Sequence, residues 1–394
     1  MRKKIPSTVW LLSLVSFLND IASEMLYPVM PIFLTQVLGA SVFVVGIIEG
    51  VAEGCASLFK TGFGYWSDRL QKRKPFVVGG YGASAISKVI IALSYSWPVV
   101  LIGRIVDRMG KGARTGARDA LLLEATDETN KGFIFGFHRS MDSAGAVVGP
   151  TIALVLLWAF HNNIRLVLYV AIIPAFAALI FFVWVKEAKK HVQTSTTKLS
   201  LSIKNFPPQL KLFLLGLCLF SLGNSSDSFL ILRAQNLGLS LILVISAYIV
   251  YNLVYAVAST PAGIIADKIG TKKVFITGII IFVLVYLGFA LNKSGSLVWL
   301  LFGVYGFYIA LTDGVSKAMI GSLISKEQAG TAYGALTTVT SAFTLAASVI
   351  GGFLWSAVSP SATFIFAVVC ALLSLVVFAG IRTNNQSSIR TGVL

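Results

Sequence analysis

The sequence predicts an all-α integral membrane protein, with twelve transmembrane helices arranged as two pseudo-symmetric six-helix bundles. Three observations carry this. Apolar runs of about 20 residues recur from end to end, each long enough to cross a hydrocarbon core of roughly 30 Å as a helix. Of the 394 residues, 56% are hydrophobic and only 12% charged, a balance that leaves too few polar groups to cover a water-soluble surface. A charged turn, "GYWSDRLQKRK" from Gly64, returns as "GIIADKIGTKK" from Gly263, and its aspartates, Asp68 and Asp267, stand 199 positions apart, about half the chain.

Cutting the chain at its Gly, Pro and charge clusters gives the spans in order. Those of the first half cover about 8–37, 41–66, 75–95, 97–121, 133–160 and 165–185. Those of the second cover about 210–236, 241–266, 273–292, 296–322, 330–356 and 361–381. The expected domains are an N-terminal bundle (1–186), a polar, basic cytoplasmic linker (187–209) and a C-terminal bundle (210–394). The N-terminal "MRKKIPSTVWLLSLVSFLND" begins like a signal peptide, but no small-residue cleavage site follows its apolar part, so it is taken as the first span.

Orientation follows from the loops. Arg2, Lys3 and Lys4 precede span 1; Arg69, Lys72, Arg73 and Lys74 follow span 2; Lys268, Lys272 and Lys273 follow span 8. The alternate loops "GAS", "YSWP" and "SPSA" are bare, and "HNNIR" and "NKSGS" carry only Arg165 and Lys293. Both termini are therefore expected in the cytoplasm, with the protein in the plasma (inner) membrane. The net charge of +16 would suggest nucleic acid in a soluble protein; here the excess sits in short loops and sets orientation, so no nucleic-acid partner is expected. Cys55, Cys218 and Cys370 lie inside apolar runs without motif spacing and are taken as small buried hydrophobes. No metal-ligand cluster, nucleotide-binding loop or nucleophile arrangement stands out, so no cofactor, no metal and no enzymatic activity are expected.

The duplicated turn resembles the G-x-x-x-D-[RK]-x-G-[RK]-[RK] motif of the major facilitator superfamily, and the resemblance covers essentially the whole chain. Gly64, Asp68, Arg69, Lys72 and Arg73 match, with Gln71 at the second glycine; Gly263, Asp267, Lys268, Gly270 and Lys272 match in the second copy, with Thr271 at one basic position. In that family the motif makes cytoplasmic charge contacts that hold one conformation and break during transport. Span 4 carries Arg104 where the family has an intramembrane arginine. Span 5 carries Gly145, Gly149 and Pro150, a G-x-x-x-G-P that resembles the signature of bacterial proton-coupled antiporters, although the paired glycines expected after it are absent from "GPTIAL". Glycines four apart permit close helix packing, and a proline within a helix frees a carbonyl and bends the axis.

Span 4, "LIGRIVDRMGKGARTGARDALLLEA", is the least apolar. If it starts near Trp97, Arg104 lies about 10 Å deep at 1.5 Å per residue, Asp107 and Arg108 fall near the midplane, and Lys111, Arg114 and Arg118 lie towards the cytoplasm. Such a stripe must face a cavity or protein partners, not lipid. Partners are available: Asp20 and Glu24 in span 1, Glu49 and Glu53 in span 2, Asp119 in span 4, and Arg139 and Asp142 in span 5, with His138 as a structural hydrogen-bonding residue. Counted with Lys60, first-half acids and bases balance, so a network of mutual pairing is expected. The resemblance implies that span 1 lines the cavity, which makes Asp20 and Glu24 the proton carriers and Arg104 their coupling partner. Burial favours a neutral carboxyl and an approaching guanidinium favours the carboxylate, so a moving helix can load and release a proton. In the second half, the polar stretch at Asn224 and Asp227 and the pair Asp313 and Lys317 are expected to line the cavity. Tyr248, Tyr251, Asn252 and Tyr255 recur at helical spacing and form either an aromatic substrate wall or ordinary packing.

Taken with the resemblance, these features lead to the expectation of a monomeric secondary active transporter in the lipid bilayer. It would move a small organic solute by alternating access, coupled to protons, as an exporter of drugs or metabolites. The rival is an organic-anion transporter that grips phosphorylated or carboxylated solutes with Arg104 and Arg108. Full pairing of those arginines with carboxylates would remove its basis, and an unpaired arginine facing an open cavity would restore it. Lipid translocation and a non-transporting membrane sensor are the remaining alternatives.

Overall fold

The computed structural model describes residues 5–70, 73–125, 131–185, 206–323 and 329–381. Among them all regular structure is helical. Most of the sequence-predicted linker, 187–205, and Lys72 lie outside the described residues. Two compact units form, one from residues 1–197 with 226–249, the other from 198–225 with 250–394. The division therefore falls within spans 7 and 8 as well as near the linker.

In the first unit, span 1 is broken. Helix α1 (Ser7–Leu26) ends before Tyr27 and Pro28, a short α2 (Met30–Ile32) follows with Pro31 in its first turn, and then a π-helical turn (Phe33–Val37). Proline lacks the N–H that would continue the ladder. Then come α3 (Val42–Leu70), α4 (Lys74–Ala92), α5 (Trp97–Glu124), α6 (Lys131–Ala159) and α7 (Ile164–Phe181). Pro75 and Pro98 sit in the first turns of α4 and α5, where the missing N–H costs nothing. Asn163 caps α7 by accepting the Leu166 N–H at 3.2 Å. Helix α6 runs unbroken through Pro150.

Helix α1 packs on α6 and α7, and α5 lies against α3 and α4. The α4–α5 contact is close because both sides are glycine: a Cβ on Gly110 would stand 2.4 Å from the Gly80 carbonyl oxygen, and one on Gly80 2.6 Å from that of Gly110. Span 7 is broken as well. Helix α8 (Pro208–Gly223) stops, residues 224–227 leave helical geometry, and α9 (Ser228–Asn236) resumes. Helix α9 packs on α2 and belongs to the first unit.

The second unit holds α8, the later part of α10 (Leu241–Ile269), α11 (Thr271–Leu291), α12 (Val298–Leu323), α13 (Ala329–Ala357) and α14 (Pro360–Ala379). Its interior is aromatic. Phe213, Phe275 and Phe378 meet at ring separations of 5.2 to 5.8 Å, and Phe220, Phe282 and Tyr308 form a second cluster. Gly270 joins α10 to α11 at φ 98°, a conformation that side chains with a Cβ rarely adopt.

Eleven helical segments among the described residues are long and apolar enough to cross a bilayer. Helix α5 is not one of them. Its 28 residues span about 42 Å, so length qualifies it and composition does not.

Candidate functional site

Helix α5 carries the charges and its neighbours answer them. Arg104 places Nη2 2.8 and 2.7 Å from the two carboxylate oxygens of Glu49 on α3, and both residues are buried. Four residues on, Arg108 meets Glu53 of α3 at 3.3 Å. Glutamates one turn apart on α3 thus face arginines one turn apart on α5. On the α4 side, Asp107 accepts from Lys88 Nζ at 2.7 Å and from the Ser84 hydroxyl at 2.6 Å. That hydroxyl in turn accepts from Arg114 at 2.8 Å. Arg114 also reaches Asn19 of α1 at 3.4 Å and stacks its guanidinium 4.5 Å from the Tyr81 ring centre. Arg118 donates to Ser16 at 2.9 Å and to Asp119 at 3.2 Å, with Asp142 at 3.9 Å. His138 bonds Ser13 at 3.1 Å, and its other ring nitrogen faces Asp142 at 3.7 Å.

Arg104 projects towards α3 and pairs with Glu49 rather than with Asp20 or Glu24. One expectation needs correction. The acid–base balance drawn from the sequence leaves out Lys88, which lies buried in α4 and neutralises Asp107. Its signal was present as a lone lysine in "GASAISKVIIA". Arg108, by contrast, pairs with a carboxylate as expected.

A cavity of about 370 Å³ opens beside this network, within the first unit. Helix α1 contributes Asp20, Ser23, Glu24 and Tyr27; α3 contributes Glu53; α5 contributes Arg104, Asp107, Arg108, Lys111, Arg114 and Arg118; α6 contributes Arg139 and Asp142. Glu24 accepts a hydrogen bond from the Tyr248 hydroxyl at 3.1 Å, and the Tyr248 ring stacks on Tyr27 at 5.7 Å. Asp20 has the Asn19 amide at 3.4 Å. Among the described residues, no ion pair includes Asp20, Glu24, Lys111 or Arg114.

The glycines of α6 explain how the α1 carboxylates are held. A Cβ on Gly145 would stand 2.9 Å from the Asp20 Cβ, and one on Gly149 2.7 Å from the Ile21 carbonyl oxygen and 3.0 Å from the Glu24 Cβ. The G-x-x-x-G of α6 thus seats itself on α1 at the two acidic positions.

The second unit has its own polar cavity, about 350 Å³, lined by Asn224 and Asp313 among hydroxyls that include Ser221, Thr312, Ser316 and Thr340. Tyr255 donates to Asp313 at 3.0 Å. Tyr251 is buried against Tyr305 at 5.2 Å and packs rather than lining this cavity. Asp227 immediately precedes α9, and Asn252 is half-buried in α10. The side chain of Lys317 lies outside the described residues, as do those of Asp68 and Arg69 and the surroundings of Gly64. At the duplicated turns, Arg73 pairs with Glu124 at 2.8 Å. Lys74 Nζ donates to the Val185 carbonyl at 2.7 Å, and Lys272 Nζ to those of Ala379 and Ile381 at 2.9 and 2.6 Å. A lysine of each turn thus closes the end of the sixth span of its own half. Gly263, Asp267 and Lys268 lie exposed at the end of α10. Among the described residues, no three His, Cys, Asp or Glu side chains converge as a metal site requires.

The sequence profile of the Major Facilitator Superfamily matches residues 12–248 and 212–391. This chain belongs to the major facilitator superfamily. An uncharacterised MFS-type transporter of Methanocaldococcus jannaschii is 39% identical over 379 residues, 94% of each chain. The inner membrane transport protein YajR of Escherichia coli is 29% identical over 345 residues, 84% of this chain and 73% of that one. The crystal structure of the nucleoside transporter NupG shares the fold at a TM-score of 0.79 and 14% identity, covering 95% of this chain and 99% of that one. This superfamily member is a multi-pass membrane transporter and not an enzyme.

Proposed function

We propose that this superfamily member is a proton-coupled secondary transporter that exports small organic solutes by alternating access, with Asp20 and Glu24 as the proton carriers. One observation carries the reading: both carboxylates line the cavity, and among the described residues neither is held in an ion pair. A locked carboxylate cannot exchange a proton with each cycle, whereas one that borders a cavity can. The charged groups facing Asp20 are Asp142 of α6 and Arg114, Arg118 and Lys111 of α5; those facing Glu24 are Asp20, Lys111 and Arg108, with the Tyr248 hydroxyl from α10. A small motion of α5 against α1 changes how strongly those cations favour the ionised form. Arg104, fixed on Glu49, couples indirectly by anchoring α5 to α3.

The basic loops support an inner-membrane location with both termini cytoplasmic. We take the transporter to act as a monomer of two six-helix bundles joined by the 187–209 linker, with the duplicated turns as its cytoplasmic gate. Glu49 and Glu53 neutralise Arg104 and Arg108, so what supports recognition of an anionic group is instead Arg114, which lines the cavity and makes no ion pair among the described residues.

Proteoliposomes loaded with a pH-sensitive dye and given an imposed pH gradient test the proposal. Addition of organic cations or zwitterions should release protons through the native protein. Asp20→Asn and Glu24→Gln should each slow that release at least about tenfold, as losing a group that transfers a proton does. Proton release unaltered in both variants would refute the assignment.

A further inference from the structure

We infer that the first-unit cavity selects a zwitterionic solute, its cationic group between Asp20 and Glu24 of α1 and its anionic group on Lys111 and Arg114 of α5. The inference rests on the transport reading and deepens it by naming the substrate class. It starts from what remains after the wall charges are paired off. Arg104 is taken by Glu49, Arg108 by Glu53, Asp107 by Lys88, and Arg118 by Asp119 and Asp142; Arg139 is engaged as well. Among the described residues, two acids on one wall and two bases on the other are left without ion pairs. All four line the same cavity, and no ion pair joins them among the described residues, so the space between them is occupiable by a molecule that carries both signs.

The basic wall is prepared for a ligand. Arg114 is buried and oriented by neutral groups, the Ser84 hydroxyl, the Asn19 amide oxygen and the Tyr81 ring face. Its charge is therefore positioned without a direct ion pair, so its orientation is set before an anion arrives. Lys111 is exposed and supplies the mobile second contact. A solute with one charge only leaves an uncompensated pair on the opposite wall, the kind of mismatch that sites use to reject wrong partners. Because the cationic end and the proton want the same carboxylates, they exclude each other, as antiport requires.

Three probes on one benzyl frame separate the alternatives: 4-(aminomethyl)benzoate (zwitterion), benzylamine (cation) and 4-methylbenzoate (anion). Their binding to the full-length purified protein is read by calorimetry or thermal shift. The zwitterion should bind at least about tenfold more tightly than either singly charged probe. Lys111→Met should reduce it to the level of benzylamine, and Glu24→Gln to that of 4-methylbenzoate. Lys111 makes no ion pair among the described residues, so its variant removes charge without breaking the fold. Equal binding of all three probes, absence of zwitterion binding, or a zwitterion affinity unmoved by Lys111→Met would overturn the inference. Proton release that persists in the proteoliposome assay would then leave the coupling proposal standing and remove only the substrate class.

Discussion

Asp107 is buried with Lys88 as its counter-ion at 2.7 Å, and such a pair responds asymmetrically to mutation. Removing one partner strands a charge in low dielectric, whereas removing both can be nearly neutral. Lys88→Met should therefore destabilise the protein by about 3–5 kcal/mol, measured as loss of thermal or denaturant resistance in detergent. Adding Asp107→Leu should recover much of that loss. Failure of the double variant to recover would mean that Asp107 also serves Arg114 through Ser84 in a way packing cannot replace. At this scale the sequence revealed residue types but not partners. That the arginines of α5 need polar or charged partners follows from the cost of a bare charge in a membrane. That Arg104 takes Glu49 depends on which face of α5 meets α3, a tertiary fact no spacing encodes. Arg114, held by a serine, an asparagine and a tyrosine ring, has no acidic signature to find.

Helices show how a short motif becomes a position. Gly145 and Gly149 are where α6 touches α1, at the backbone that carries Asp20 and Glu24. Gly149→Val should push the helices apart, cost roughly 1–3 kcal/mol as overpacking does, and lower transport more than stability, which paired melting and flux measurements would separate. Transport falling only in proportion to folded protein would argue against a positioning role. The breaks in spans 1 and 7 form a second pattern. Tyr27 and Pro28 correspond, at the 199-residue offset of the duplicated turn, to Ser226 and Asp227 in the break before α9. Interrupted helices at matching positions of two halves are a recognised pointer to a transporter's binding region. Pro28 and Pro31 announce the first break; the second rests on a polar run without proline and is harder to see.

Over the whole molecule the two units differ in character, one organised around ion pairs and the other around aromatic rings. Span boundaries were legible almost throughout, because apolar run length and loop charge fix them: the expected 97–121, for instance, is the helix Trp97–Glu124. The grouping of 226–249 with the first unit was not, since it arises from α9 packing on α2. Loop charge also predicts topology. In a cysteine-free background, Asn162→Cys should react with a membrane-impermeant maleimide added to intact cells with a permeabilised outer envelope, and Lys273→Cys only after the inner membrane is opened. The opposite pattern would reverse the orientation assigned here.

Helix α5, among the described residues the one span too charged to qualify by hydropathy, also constrains how the protein can be made. Each Asp, Lys or Arg near the centre of a spanning segment adds about 2.5–3.5 kcal/mol to insertion by the translocon, and Arg104, Asp107 and Arg108 all lie inside α5. Presented alone, this segment should stay outside the bilayer. Glu49, Glu53 and Lys88 are synthesised before it, so their helices can wait at the translocon and receive its charges as it enters. Biogenesis then becomes an ordered assembly in which early spans chaperone a later one. Residues 97–124 fused to a reporter should fail to insert, while residues 42–124 should succeed, and Glu49→Ala with Glu53→Ala in the longer segment should return it to failure.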